Sequence, residues 1–401
     1  MDSKFYIDVE DIYVAPNYNP LDVVITRGKG IWVWDVDGNK YLDFLSGYSA
    51  VNQGHCHPRI VKALTDQAKK LTLTSRAFRN DQWPLLAKEL CDLTGYEMAL
   101  AMNSGSEAVE TALKAARLWG YRKKEIEEDA AEIIVCTNNF HGRTITIIGF
   151  SAEQLVKSDF GPFTPGFRSI PFGDAEALEN AITPTTVAFL VEPIQAEGGI
   201  IVPPPGYLAE TKAICEKYGI LFMADEIQTG LGRTGELFGC DHESVKPDIM
   251  IIGKSLGGGC YPVSMVLSNR EILGLFKAGS HGSTFGANPL ACAVAREALK
   301  VLQEEEMITN ATEQGRYLLK KLSGIKSKHI KEIRGKGLLC GIELKEDSGG
   351  ARRFCEALAD EGLLCKDTHG NVIRFAPSLT IKQSHLNWAL KRIKKVFKDL
   401  K

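Results

Sequence analysis

The sequence predicts an α/β protein: a mainly parallel central sheet covered by helices, plus a smaller α+β lobe formed by the N- and C-terminal segments. Three observations predict it. Strand-length apolar runs alternate with stretches of helical periodicity. The runs are almost continuously apolar, as strands covered on both faces must be. With 401 residues, the chain also exceeds what a single core usually supports.

The elements follow in chain order. Ile31-Trp-Val-Trp-Asp-Val and Tyr41-Leu-Asp-Phe flank Asp37-Gly38, a turn dipeptide suited to positive φ, and read as a hairpin. From Pro58, which suits a first helical position, Ile60, Val61, Leu64, Ala68 and Leu71 recur at helical spacing. Asn103-Ser-Gly-Ser-Glu precedes a helical run over Ala108–Leu118, with Ser104 and Glu107 at the spacing of a capping box. Strands are predicted at Ile133–Cys136, Val187–Val191, Leu221–Ala224 and Ile249–Ile252, with a helix over Leu208–Lys217 among them. A long helix is predicted from Asn288-Pro289 through Leu302. The C-terminal lobe shows strands at Leu338–Leu344 and Val372–Phe375 beside helices at Arg352–Glu361 and His385–Leu400. The expected division is residues 1–50 as an N-terminal lobe segment, 51–295 as the large domain and 296–401 as the small one.

Charge excludes some functions. Lys+Arg 48 against Asp+Glu 50 leaves a formal net charge of -2, so the chain lacks the basic surface that gripping nucleic acid requires. No apolar run approaches the ~20 residues needed to span a bilayer. The first residues show no secretory signal, and ten cysteines without a C-x-x-C pair suit free thiols in a reducing compartment. The cytoplasm is the expected location, or the mitochondrial matrix after removal of a transit peptide. His55-Cys-His57 lacks further clustered ligands, so no metal is expected.

Four motifs compete over few residues. Gly253-Lys254-Ser255 resembles a P-loop, but Asp248 stands where its first glycine belongs. Gly253-Lys-Ser-Leu-Gly257 also fits a hydrolase nucleophile elbow, yet further glycines follow where a helix should. Gly230-Leu-Gly232-Arg-Thr-Gly235 fits a dinucleotide fingerprint, which keeps an NAD-dependent oxidoreductase as the rival from another class. The fourth reading pairs Asp225, ending one strand, with Lys254, ending the next. Both then face the crevice at the carboxyl ends of a parallel sheet. Pyridoxal phosphate needs that pair: a lysine for the Schiff base, and a carboxylate that keeps the pyridine nitrogen protonated. A buried Asp–Lys salt bridge is the plainer alternative, disfavoured by the cost of desolvating both ions. Free N–H groups behind Ser104, with Gly105 allowing close approach, would make an anion site.

These motifs resemble the fold-type I, class III pyridoxal-phosphate-dependent aminotransferases over almost the whole chain. The carriers are Asn103-Ser-Gly-Ser-Glu-Ala, Asn139-Phe-His-Gly-Arg-Thr, Val191-Glu-Pro-Ile-Gln, Ala224-Asp-Glu-Ile-Gln-Thr-Gly-Leu-Gly-Arg-Thr-Gly, Gly253-Lys254 and His281-Gly-Ser-Thr-Phe-Gly. The resemblance implies Lys254 as the Schiff-base lysine, with a lowered pKa, and Asp225 as partner of the ring nitrogen. It implies Phe140 and Ile227 against the two ring faces and Gln228 on the phenolic oxygen. Gly105 and Ser106 would hold the phosphate, with Ser283 and Thr284 reaching over from a second subunit of a homodimer.

Within the family, the branch acting on ornithine is most similar, through Asn17-Tyr18-Asn-Pro, Phe44-Leu-Ser-Gly-Tyr48-Ser-Ala-Val-Asn-Gln-Gly-His-Cys-His-Pro, Leu73-Thr-Ser-Arg-Ala-Phe and Arg334-Gly-Lys-Gly-Leu-Leu. Its members move the δ-amino group of L-ornithine to 2-oxoglutarate. The implied substrate residues are Tyr18, Tyr48, Arg143, Glu192, Glu197 and Arg374. Arg143 would be a permanent distal cation, and Arg374 a proximal cation that Glu197 neutralises while ornithine is bound. Ala196-Glu-Gly-Gly departs from the pattern of the ornithine branch, and His141 and Gly286-Ala287-Asn288 resemble the acetylornithine branch, so acetylornithine, GABA and lysine stay as alternative donors.

Overall fold

The computed structural model describes residues 1–400. Near the N-terminus three antiparallel strands, β1 (Ile25–Lys29), β2 (Trp32–Asp35) and β3 (Lys40–Asp43), contain the expected hairpin; Trp32 pairs with Leu42 and Trp34 with Lys40. The turn between β2 and β3 places Gly38 at φ 88°, the left-handed conformation that the dipeptide favours.

The large sheet contains β4 (Met98–Met102), β5 (Glu132–Cys136), β6 (Phe167–Ile170), β7 (Thr186–Val191), β8 (Leu221–Asp225), β9 (Ile249–Ile252) and β10 (Ser264–Ser268), in the order β4-β10-β9-β8-β7-β5-β6. Five of these strands, β6-β5-β7-β8-β9, run parallel, and β10 is antiparallel to both β9 and β4. The carboxyl ends of β4, β5, β7, β8 and β9 therefore share one edge.

The expected strands at the centre are present because their side chains alternate between two cores. Leu221 and Met223 of β8 join a cluster with Ala108, Ala112 and Ala116 of the helix Gly105–Lys123. Phe222 and Ala224 join another with Leu208 and Cys215 of the helix Tyr207–Tyr218. Each fully buried large side chain contributes about 1.5–3 kcal/mol. Strands β4, β6 and β10 were not legible: Phe-Arg-Ser-Ile of edge strand β6 lacks an apolar run, and serines bound β10.

In the small lobe, β11 (Ile330–Lys336), β12 (Leu339–Leu344), β14 (Lys366–Thr368) and β15 (Val372–Phe375) form a third sheet, ordered β11-β12-β15-β14. Between them in the chain, β13 (Leu363–Leu364) pairs in parallel with β3. Sequence separation is greatest there, and the two ends of the chain share that sheet. The helix Pro289–Glu304, opened by the Asn288 side chain accepting the Ala291 N–H at 2.8 Å, runs through the expected boundary at 295. Not foreseen at all was the helix Ser3–Tyr13, which buries none of its residues.

Close backbone contact ties the lobes together. A Cβ at Gly315, within the helix Met307–Ser323, would lie 2.1 Å from the Gly337 carbonyl oxygen, and one at Gly337 would lie 2.2 Å from the Thr234 carbonyl carbon. Gly337 also sits at φ 55°. Gly337→Ala should therefore destabilise the fold by about 1–3 kcal/mol through overpacking. The check is a lowered midpoint in thermal unfolding, with an unchanged midpoint contradicting the contact.

Candidate active site

Asp225 is the last residue of β8, and Lys254 follows β9 by two residues. These neighbouring parallel strands deliver both side chains to a cavity of about 230 Å³ at the carboxyl edge, whose walls also include Gly105, Ser106, Phe140, His141, Gly142, Arg143, Glu192, Ile227, Gln228 and Thr229. Lys254 adopts φ 43°, a left-handed conformation that a non-glycine residue holds only under constraint from its surroundings. Its amine makes no hydrogen bond or ion pair among the described residues, so the disfavoured Asp225–Lys254 salt bridge is absent. Burial lowers the Lys254 pKa, more than Glu197 and Asp225 raise it.

Asp225 instead accepts two other donors. Its Oδ1 takes the Ile227 N–H at 3.0 Å, and its Oδ2 takes His141 Nδ1 at 2.7 Å. Set against a carboxylate oxygen, His141 Nδ1 is placed to donate. Burial opposes charge on His141, but the Asp225 hydrogen bond and charge outweigh it and raise its pKa. In the sequence His141 stands out only as a mark of one family branch; the signal for this contact is its place in Asn139-Phe-His-Gly-Arg-Thr, beyond β5. Beside it, burial raises Glu192 to about 8, and its carboxyl accepts the Phe140 N–H at 2.9 Å.

The expected capping box is present. Ser104 Oγ accepts the Glu107 N–H at 3.2 Å, while the Glu107 carboxylate accepts the N–H groups of Ser104 at 2.7 Å and Asn103 at 3.0 Å. The N–H groups of Gly105 and Ser106, first in a helix of 19 residues, have no carbonyl to bond within it. Both residues border the cavity, so the helix end presents partial positive charge there. A Cβ at Gly142 would lie 2.2 Å from Ser106 Oγ; only glycine leaves this cradle open.

Behind Gln228, Arg374, from β15, is 1 % exposed and bonds both oxygens of Glu197, through Nη1 to Oε1 and through Nη2 to Oε2 at 2.7 Å. Gln228 bridges them, donating to Glu197 at 3.2 Å and accepting from Arg374 at 3.3 Å. Burial disfavours the Glu197 charge, but Arg374 outweighs it and holds the pKa at about 2. The Tyr48 ring lies 5.2 Å from the Arg374 guanidinium, on a turn in which Ser46, Gly47, Tyr48 and Ser49 all have positive φ. Such a run costs about 1–2 kcal/mol per non-glycine residue. The Asp43 carboxylate steadies its start by accepting the N–H groups of Leu45 and Ser46.

Arg143 pairs with no carboxylate among the described residues; its guanidinium lies 5.2 Å from the Phe140 ring. It also borders an adjoining cavity of about 580 Å³, shared with Tyr18 and Tyr48. Thus thirteen candidates gather around two cavities that share Arg143 as a wall, Glu197 and Arg374 through Gln228 and Tyr48. Ser283 and Thr284 do not border them: Ser283 Oγ accepts from Asn103 at 2.7 Å, and Thr284 is exposed.

The rival motifs lack their required helices. Gly230–Gly235 forms turns, and Lys254 opens only a short 3-10 turn, Lys254–Gly257. His55 bonds Asp43 at 2.6 Å and His57 pairs with Glu305; among the described residues no cluster could hold a metal, and no helix is long and apolar enough to cross a membrane.

An unpaired amine of lowered pKa, a carboxylate fixed by two donors and an open helix terminus fit pyridoxal phosphate. Fold and site together define a pyridoxal-phosphate-dependent transaminase. The chain belongs to the class-III aminotransferases, whose family model matches residues 13–397. It is 56% identical over 392 residues to the ornithine aminotransferase of Halalkalibacterium halodurans, covering 98% of each chain. Against the ornithine aminotransferase of Bacillus subtilis it is 54% identical over 397 residues, covering 99% of this chain and 98% of that one. Its fold is similar to the crystal structure of the ornithine aminotransferase from Toxoplasma gondii, with a TM-score of 0.97 at 46% identity, covering 99% of this chain and 95% of that one. It is also similar to the acetylornithine aminotransferase from Elizabethkingia anophelis, with a TM-score of 0.91 at 46% identity and full coverage of both.

A lowered pKa leaves more of the Lys254 amine neutral and nucleophilic at a given pH. In protein stripped of cofactor, cyanate should therefore carbamylate Lys254 ahead of Lys62 and Lys88, whose carboxylate partners raise their pKa values. Peptide mass spectrometry reads the order, and equal labelling would contradict a depressed amine.

Proposed function

We propose that this chain transfers the δ-amino group of L-ornithine to 2-oxoglutarate, giving glutamate 5-semialdehyde and glutamate in two half-reactions. The observation that carries the reading is a buried Glu197–Arg374 pair in the same site as the unpaired Arg143. Ornithine that presents its δ-amine places its α-carboxylate far from the reacting carbon. Glutamate presents its α-amine with one carboxylate near and one far. A single site serving both needs a constant distal cation and a proximal cation that can be neutralised. Arg143 fits the first role. Arg374 fits the second, with a planar fork suited to bidentate binding of a carboxylate.

Protonation does not release Arg374 near neutrality, because Glu197 stays ionised down to about 2. The α-carboxylate of glutamate must displace Glu197, charge for charge. With ornithine no competing carboxylate arrives, and Glu197 stays in place. Tyr18 and Tyr48, on the wall of the outer cavity, suit the ornithine α-amino group and chain.

Pyridoxal phosphate, when bound, supplies an aldehyde carbon that carries the amino group and a protonated pyridine ring that withdraws electrons. Gly105 and Ser106 would hold its phosphate, Phe140 and Ile227 its ring, Gln228 its phenolic oxygen, Asp225 its ring nitrogen and Lys254 its covalent attachment. His141 orients the Asp225 carboxylate. Once free, the Lys254 amine, with its lowered pKa, moves the proton to and from the substrate carbon. Glu192, raised to about 8, stays mostly neutral at pH 7 and does not repel anionic substrates.

The proposed assembly is a homodimer in which a second copy contributes Ser283 and Thr284 to the phosphate. Exposed Phe5, Val9, Ile12 and Tyr13 on the N-terminal helix are apolar surface that such an assembly would cover.

Nα-acetylornithine is the second reading, favoured by the neighbour from Elizabethkingia anophelis and by the volume of the adjoining cavity. Single-turnover mixing with ornithine, Nα-acetylornithine, lysine and GABA, read by loss of cofactor absorbance, decides between them. Ornithine should react fastest; a faster acetylated donor would overturn the assignment. Lys254→Ala should abolish turnover with every donor. Glu197→Ala should lower the ornithine-to-glutamate rate ratio by roughly tenfold, the equivalent of one charge-assisted contact. An unchanged ratio would remove Glu197 from the switch.

A further inference from the structure

Arg233 is a fully buried arginine with no carboxylate partner. Burial lowers its pKa to about 9, so it remains charged at neutral pH. A charge in that position is costly unless its donors are satisfied, and its acceptors come from separate parts of the chain. Nη1 donates to the carbonyls of Leu338 at 2.9 Å and Pro377 at 2.6 Å, and Nη2 donates to Asn52 Oδ1. Asn52, itself 0% exposed, donates to the Leu231 carbonyl at 3.2 Å. Its own carbonyl accepts the Leu379 N–H and the Ser378 hydroxyl, each at 2.8 Å.

The segments joined here each carry one part of the Arg374 site. Tyr48 lies four residues before Asn52, on the strained turn. Gln228 lies five residues before Arg233. Arg374 lies three residues before Pro377, and β12, which starts just after Leu338, pairs Gly341 with Arg374. We propose that Asn52 and Arg233 are positioning residues: their buried clasp sets Tyr48, Gln228 and Arg374 in mutual register and so determines how tightly the site binds a carboxylate next to the reacting carbon. This inference rests on the reading of Arg374 as the proximal cation.

The test uses holoenzyme and two readouts. Titration calorimetry with glutarate, an unreactive dicarboxylate, measures binding; single-turnover half-reactions with glutamate and with ornithine measure selectivity. Asn52→Ala should weaken glutarate binding and raise the half-saturating glutamate concentration by about tenfold. Ornithine, which leaves Arg374 on Glu197 and meets the clasp only through Tyr48, should lose less, about threefold. Asn52→Asp keeps an acceptor for Arg233 and should restore glutarate binding to within about threefold of wild type.

Unchanged glutarate affinity in Asn52→Ala, or equal losses for glutamate and ornithine, would overturn the clasp. If Asn52→Ala does not fold, Ser378→Ala carries the test, because it removes the hydroxyl bond to Asn52, along with that hydroxyl's contacts to the neighbouring Thr380. A loss of roughly threefold for glutarate supports the clasp, and wild-type affinity overturns it. A wild-type enzyme that ignores ornithine would defeat the donor assignment but leave the glutarate comparison standing.

Discussion

A sheet covered on both faces leaves charged side chains little room except beyond its strand ends. Residues along β7, β8 and β9 are buried on both sides, so the carboxyl edge is where charges and backbone dipoles meet a cavity. Water is scarce there, and every charge must find a partner or lose its charge. Asp225 is held by His141 and the Ile227 N–H, Glu197 by Arg374, while Glu192 rises to about 8. Lys254 has no partner, and its lowered pKa follows from that exclusion.

The same scarcity of water underlies the proposed mechanism of substrate choice. In bulk water a carboxylate–arginine pair is a weak contact, easily exchanged. Here Arg374 is almost fully buried, so removing Glu197 without a replacement anion would strand a buried charge. In the proposed exchange an incoming α-carboxylate takes Glu197's place, and a donor without a nearby carboxylate leaves the pair intact. Arg143 stands apart because it is exposed and needs no counter-ion in the protein. The two arginines thus differ through burial, not through chemistry.

Backbone geometry supplies the precision that this exchange requires. Lys254 and the turn Ser46–Ser49 hold left-handed conformations, and the strain persists because surrounding contacts over-determine them. The Asn52–Arg233 node and the stacked glycines at 315 and 337 lie where the large and small lobes meet. Close approach there fixes β12 and β15, and with β15 the Arg374 side chain.

Local pattern was enough to read the central strands, the helix capped by Ser104, the long helix from Pro289 and the Asp225/Lys254 pair. Each depends on short-range physics: apolar periodicity, a capping box, a proline that suits a helix start. Motif spacing alone also left a dinucleotide fingerprint in play at Gly230–Gly235, because three glycines at the right intervals do not specify whether a helix follows. Edge strand β6, antiparallel β10 and the two-residue β13 escaped notice, since their pairing is decided by partners far along the chain.

By itself the sequence determined which residue types stand at each strand end, and therefore that a lysine, a carboxylate and a glycine-rich helix start would share one edge. Only the tertiary structure decided the charges those groups carry and the partners they keep. The His141 bond to Asp225, the bidentate grip of Arg374 on Glu197 and the unpartnered state of Lys254 depend on desolvation and on distances between segments as much as 177 residues apart. Local sequence encodes neither quantity, because both arise only when the lobes close around the same small volume.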